Sequence, residues 1–336
     1  MKKRHSYVLV IVWFMGVFFV SEFGGNRMRA HAAGEQPLNI GVIKGTQFFP
    51  LAALQSKGLE KKYGLDLKIT PLASPSAIHI AINGHQVDVV FSTWQTYAVS
   101  RSKGGDPLVI APVNYYVNGI IVKKDSPAKS LKDLIGKKLG TSYGPGHGTA
   151  LLLQYAAKKE FGVDINGQME MREAAAPLLL GLLEKGELDA VYLGEPNLSK
   201  SLLGGKYKQI WDVDEAFKKM GKVVPLQLCV VTTDQSMQTK KEALKKFLAA
   251  YAEAKNILTT DNQIWKELAK EVDIKGDDGV EVLRKNLQSS YVQTWNKSFI
   301  DNELKMNYEM AAMQKGVKFI PDKIPDEFFF FGVYTK

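Results

Sequence analysis

The feature that most limits the fold is an alternation of short apolar runs with amphipathic ones that comes round twice. "PLNIGVIK" (37–44), "LDLKITPLA" (65–73) and "VDVVFST" (87–93) read as strands. Between them "FPLAALQSKGLEKKYG" (49–64) is an amphipathic helix, and "SPSAIHIAINGHQ" (74–86) opens with a serine cap and a proline just inside. "WQTYAVSRSKGG" (94–105) is a helix closed by glycines, and "PLVIAPVNYYVNGIIVKK" (107–124) holds two further strands. The second round runs through "SLKDLIG", "KKLGTS", a helix over 149–161, "MEMREA", "PLLLGLLEKGE", "LDAVYLG", "PNLSKSLLGG" and "YKQIWDV". "VPLQLCVVTT" (224–233) closes it. "AINGHQVDVVFST" and "LLEKGELDAVYLG" share one pattern: helix, glycine, polar residue, aspartate, buried strand, polar loop. Such alternation implies βαβ units and largely parallel sheets, here in two similar α/β lobes. The tail is helical, with apolar residues at i, i+3, i+4 and i+7 over 239–261, and Met306, Met310 and Met313 at helical spacing read as core.

The N-terminus is a different kind of segment. Lys2, Lys3 and Arg4 precede the apolar run Tyr7 to Val20, and Ala30-His31-Ala32 forms an A-x-A site. This reads as a secretory signal peptide over 1–32, too short in its apolar part for a spanning helix. Removing it leaves 39 basic and 34 acidic residues, a charge of +5 in place of +9. No Lys/Arg run is interleaved with aromatic residues, so a nucleic-acid partner is not expected. The lysine pairs at 123–124, 137–138, 218–219 and 240–241 read as solvated faces. One cysteine, Cys229, lies in a β-like apolar run and reads as a buried inert thiol, so an exported chain has no internal disulfide.

Glycines crowd Gly140-Thr141-Ser142-Tyr143-Gly144-Pro145-Gly146-His147-Gly148-Thr149, which runs straight into a helix. No lysine follows as a P-loop needs, and the spacing is not that of a dinucleotide fingerprint. The free N–H groups and partial positive charge of a helix start could hold a small oxyanion, or the stretch is a plain turn and cap. Catalytic sets are poor: no H-E-x-x-H, C-x-x-C or G-x-S-x-G occurs, and no metal or cofactor is expected. The loops at the carboxyl ends of parallel strands are richer. They carry Gln47, Phe48, Ser74, Thr93, Trp94, Tyr115, Tyr116, Gly146, His147, Gly148, Thr149, Tyr192 and Glu195. Hydroxyls, amides and rings with few charges suit a desolvated small-molecule cleft.

At this point the chain resembles a known family, the periplasmic substrate-binding proteins of ABC importers in the nitrate, sulfonate and taurine group. The resemblance rests on "LNIGVIKGTQFFPLAALQSKGLEKKYGLDL", "AINGHQVDVVFST", "IIVKKDSPAKSLKDLIGKKLGTSYGPGHGTALLLQYA", "LLEKGELDAVYLGEPNLSK" and "GVKFIPDKIPDEFFFF", and covers 37–335. It implies a two-lobed type 2 periplasmic-binding fold, each lobe a mixed, mostly parallel sheet flanked by helices. The expected parts are lobe 1 over 37–122 and 225–336, and lobe 2 over 123–224. Crossing strands are expected near Ile120–Lys124 and Val224–Val231. It further implies a monomer in the periplasm, not an enzyme, that captures a small organic anion (a sulfonate, a taurine-like compound or an aromatic carboxylate) and hands it to a membrane permease. The glycine loop then resembles the family's second-lobe anion site. Glu195 resembles the acidic residue that pairs with a ligand amine in taurine-type members, or it caps the helix starting at Pro196. The alternatives are a binding protein for a thiamine-precursor pyrimidine, which relatives hold between aromatic rings, and an enzyme on the same fold. A sensor handing ligand to a membrane receptor is a third.

Overall fold

A computed structural model of the chain describes residues 37–144, 147–313 and 319–334. The expected signal peptide and Gly146 lie outside the described residues. Strands β1 (Leu38–Val42), β2 (Leu67–Pro71), β3 (Val89–Ser92) and β4 (Pro107–Tyr115) belong to one five-stranded sheet. Strands β5 (Asn118–Lys123), β6 (Lys138–Thr141), β7 (Glu170–Glu173), β8 (Ala190–Gly194) and β9 (Tyr207–Asp212) form a second. Strand β10 (Leu226–Thr233) returns to the first.

The two sheets repeat one topology, β2-β1-β3-β10-β4 and β7-β6-β8-β5-β9. In each the first three strands are parallel and the fourth is antiparallel to its neighbours. The duplicated aspartate explains part of this likeness. Asp88 Oδ2 accepts from the Asn39 N–H at 2.8 Å, and Asp189 Oδ2 accepts from the Lys138 N–H at 2.9 Å. In each lobe the carboxylate thus satisfies the free N–H at the start of the middle one of the three parallel strands and fixes its register against the next.

The chain leaves the first sheet after Tyr115 and is in the second from Asn118, a few residues before the expected Ile120–Lys124. It is back in the first sheet from Leu226. The two crossings run side by side, the Tyr116 N–H donating to the Pro225 carbonyl at 3.3 Å. Each sheet has its own aromatic core. Phe49, Phe91, Phe247, Tyr251 and Trp265 pack in the first, and Tyr155, Tyr192, Trp211 and Phe217 in the second. The helix Lys297–Ala311 ties both together. Its Glu303 and Asn307 bond Trp94 and Gln95, while its Glu309 accepts from Tyr155 Oη and Lys222 Nζ, each at 2.8 Å.

Several expectations need correction. Met310 is buried and Met306 half-covered, but Met313 is 40% exposed, so the methionine stripe is core only in part. Lys240 does not lie on a solvated face: it bonds the Asp88 carboxylate at 2.7 Å, both side chains nearly buried. Short helices at Ile165–Gln168 and Val213–Lys219 stand where the periodicity predicts nothing. Cys229 is fully buried in β10, and burial pushes its thiol well up, as an inert thiol requires.

Candidate ligand-binding site

The second-lobe half of the site is built on the helix Gly148–Phe161. Its first turn is buried, with Thr149 fully inside. The free N–H of Thr149 is taken by His147, whose Nδ1 accepts it at 3.1 Å. The loop's histidine is therefore the helix's own cap, and burial lowers its pKa, so the ring is neutral with its proton on Nε2. A glycine at 148 is required because a Cβ there would lie 2.7 Å from the Tyr116 hydroxyl. Tyr192 closes the floor, donating to the Thr149 carbonyl at 3.4 Å.

Around this terminus polar atoms gather without partners. Tyr116 Oη, Asn118 Oδ1 and Thr149 Oγ1 are buried without a well-formed hydrogen bond among the described residues, the two hydroxyls only facing each other. The Tyr143 ring stands over them, 5.2 Å from His147 and 5.9 Å from Tyr192 by centroids, its hydroxyl 3.4 Å from Asn118 Nδ2. Orphaned buried polar atoms are uncommon, and three in one cluster mark a place built for something else to satisfy them.

Glu195 is the carboxylate beside this cluster. Its Oε2 accepts from the Ser199 N–H at 3.3 Å, so it does cap the helix Asn197–Leu202. Its Oε1 does more, accepting from Ser199 Oγ at 2.9 Å and from Asn286 Nδ2 at 2.7 Å. Asn286 lies on the helix Asp277–Gln288, whose Leu283 and Leu287 are in the first lobe's core. That bond therefore spans the lobes. Burial pushes the Glu195 carboxyl up to about 7, against the pull of Asn286 and Ser199. The Asp212 carboxylate adds to the rise.

The other sequence candidates divide. Tyr115 and Tyr116 line a cavity of about 400 Å³ beside the crossings, together with Asp212, Lys222 and Asn286. Gln47 is buried and folds back on its own loop, Nε2 to the Ile43 carbonyl at 3.0 Å. Phe48 is half-buried against the first core, with Lys44 Nζ 5.3 Å from its ring. Ser74 caps the helix Pro75–Asn83 through Ala77 N, and Thr93 precedes the helix Trp94–Ser102; neither side chain bonds the second lobe. Trp94 is inside the core, its indole N–H on Glu303 Oε1 at 3.3 Å and its ring edge on Phe329. Sequence reading missed Tyr143, Asn118, Ser199 and Asn286. The first two lay in stretches already singled out; nothing marked Asn286.

The two-sheet topology is that of the periplasmic-binding fold. The alkanesulfonate-binding protein SsuA from Xanthomonas axonopodis pv. citri, bound to MOPS, superposes with a TM-score of 0.66 at 17% identity, over 84% of this chain and 96% of that one. The ligand-binding component of an ABC-type import system from Staphylococcus aureus, with zinc bound, gives 0.70 at 16%, over 89% and 98%. The periplasmic nitrate-binding protein NrtA from Synechocystis PCC 6803 gives 0.54 at 17%, over 74% and 68%. Comparison with curated proteins gives no sequence match. The sequence profile described as NMT1/THI5 like matches residues 45–263, more than half the chain. This chain belongs to the NMT1/THI5-like family. The matched span begins in the loop after β1 and ends just past the helix Lys241–Thr260. It therefore includes every second-lobe residue of the cluster and excludes Asn286. Among the described residues no group of three His, Cys, Asp or Glu is placed to hold a metal.

Proposed function

We propose that this member of the family is the extracytoplasmic solute-binding component of an ABC importer, exported by its N-terminal segment. It would capture a small polar molecule between its lobes and deliver it to a membrane permease. The ligand we favour is an uncharged or weakly basic nitrogen heterocycle, of the aminopyrimidine kind, rather than a bare organic anion. One observation carries this choice: three buried polar atoms with no well-formed hydrogen bond among the described residues, Tyr116 Oη, Asn118 Oδ1 and Thr149 Oγ1, lie near the Glu195 carboxylate, on which Asp212 adds a second negative charge. An N–H-bearing heterocycle offers donors to Glu195 and Asn118 and acceptors to the two hydroxyls, and a flat ring fits against Tyr143. A desolvated anion would instead face Glu195 at close range.

The second reading, the organic anion, is favoured by the helix terminus itself and by the sulfonate and nitrate binding named for the structural neighbours. Against it, His147 already occupies the Thr149 N–H. Thermal shift of the exported chain against aminopyrimidines, taurine-like zwitterions, sulfonates and nitrate separates the two, because a ligand of the native state raises the melting point. We expect a rise with aminopyrimidines that disappears in Glu195→Gln. A rise with sulfonates or nitrate alone, unchanged in that variant, overturns the heterocycle reading.

A further inference from the structure

Behind the cluster, on the other side of Tyr143, the second lobe contains a separate cavity of about 190 Å³. Tyr143 and Tyr192, which border the polar cluster, also line this cavity, and it shares no lining residue with the cavity beside the crossings. Its floor is apolar: Leu153 and Ile165 are fully buried, and Met171 is half-covered against the same core. Its rim is polar. Gln154, Asn166 and Glu173 stand there, and none of their side chains hydrogen-bonds a described residue. No lysine or arginine lines it.

A cavity of about 150 Å³ lined by apolar side chains is known to stay dry and accept benzene. The space here is of that order, and its two tyrosine rings meet at 63°, offering one face and one edge to a guest ring. The amides and carboxylate at the mouth add directional bonds that a bare hydrocarbon would leave unused. The geometry assigns this cavity as a second binding site, for a single flat aromatic or heteroaromatic ring carrying a hydrogen-bonding substituent. The site uses none of Glu195, Asn286 or Asn118, so its occupancy can be tested without a cleft ligand. Because Tyr143 belongs to both sites, a ring in the cavity steadies the tyrosine that covers the cleft cluster.

The probe is phenol, and the reporter is the methyl group of Met171, which lines the cavity. Protein carrying ¹³C-methyl methionine is titrated with millimolar phenol and followed by NMR. The expected result is a saturable ring-current shift of Met171, with the other methionines still. The shift should vanish in Ala150→Leu, which fills the cavity with three carbons, and persist in Glu195→Gln. Gln154→Ala, at the rim and away from the core, should weaken binding about three- to tenfold, the effect of one lost hydrogen bond. It keeps the test decisive if the filled variant does not fold. The absence of a saturable Met171 shift overturns the assignment. So does a shift that survives in Ala150→Leu with native circular dichroism, or one abolished by Glu195→Gln, which would put the phenol in the cleft.

Discussion

Acid should close the ligand-free protein. The Glu195 carboxyl rises from an ordinary 4.5 to about 7, with burial the main cause. Parting the lobes removes Asn286 and its helix from the carboxyl and should return it toward its ordinary value. Closure then takes up a proton between these two values, so the closed form gains as pH falls through 7, and the gain is complete below 4.5. For a sealed carboxyl the displacement is worth about 3 kcal/mol. Glu195 is only half-buried, and solvent screening reduces that to about 1 kcal/mol, a factor of about five in the closed-to-open ratio. Asn286 opposes the change, since its bond to an ionised oxygen is stronger than to a neutral one. Energy transfer between dyes at Lys61→Cys and Lys185→Cys, one exposed position on each lobe, reads the equilibrium; the native Cys229 is buried and will not label. Transfer should rise between about pH 8 and about pH 5 in the native chain and stay flat in Glu195→Gln. Asn286→Ala should open the protein at about pH 8, where the lost charged hydrogen bond is worth about 1.5–3 kcal/mol. A flat native profile, or an equal rise in Glu195→Gln, refutes the reasoning. An aminopyrimidine should cancel the trend, because its N–H groups replace the missing water around the carboxylate.

The remaining predictions concern the frame that holds the site. Glu303 is buried and also lifted to about 7, so its share of stability is present below 4.5 and lost as pH rises through 7, about 3 kcal/mol in all. Calorimetry should show a melting point falling over that window in the native chain and less so in Glu303→Gln. His147→Ala should cost about 1 kcal/mol in urea unfolding through loss of the helix cap, and a nitrate or sulfonate response appearing only in this variant would mark the helix start as an anion seat. Asp189→Ala should cost about 1 kcal/mol, while Asp88→Ala should cost about 3 kcal/mol, since Asp88 alone also holds Lys240 and Ser236. Equal losses in the two variants would show that the ion pair with Lys240 adds nothing.

What the sequence made legible was whatever repeats or has a period. The strand–helix alternation gives two similar lobes with mostly parallel sheets, and the twin aspartates sit at the same turn in both; the antiparallel places of β10 and β5 have no such periodic signal. Helix starts followed from Ser74 and from the glycine run. The polar residues that decide the site were harder to see, since amphipathic spacing tells which face of a helix is covered and not which atom it meets. Leu283 and Leu287 predict that the helix Asp277–Gln288 packs on the first lobe; that Asn286 between them reaches Glu195 depends on the angle at which two lobes meet. Lys255 is the extreme case. It lies in an amphipathic helix where a lysine reads as solvated, yet it is fully buried, its Nζ held by the Pro112 and Val292 carbonyls and its pKa lowered by burial to about 7.

Trp94 shows the same limit from the other direction. A tryptophan at a strand end reads as a ring for a ligand, yet here it is also the first residue of the expected helix and its side chain is fully buried. Starting a helix at Trp94 turns its side chain inward, onto Phe329 and Glu303. Its role is then to anchor the helix Lys297–Ala311, which also carries Glu309 to Tyr155 and Lys222 in the second lobe. Glu195 and Glu303 are thus two carboxylates in one predicament, each desolvated and each bonded to a residue from another part of the chain. One sits where a ligand can relieve it by supplying N–H donors. The other is already met by the Leu226 and Trp94 N–H groups and the Asn307 amide. Glu195 accepts three hydrogen bonds as well, so it is access that separates them: Glu195 is half-buried beside the polar cluster and is the residue to test for binding, while Glu303 is buried and is the residue to test for stability.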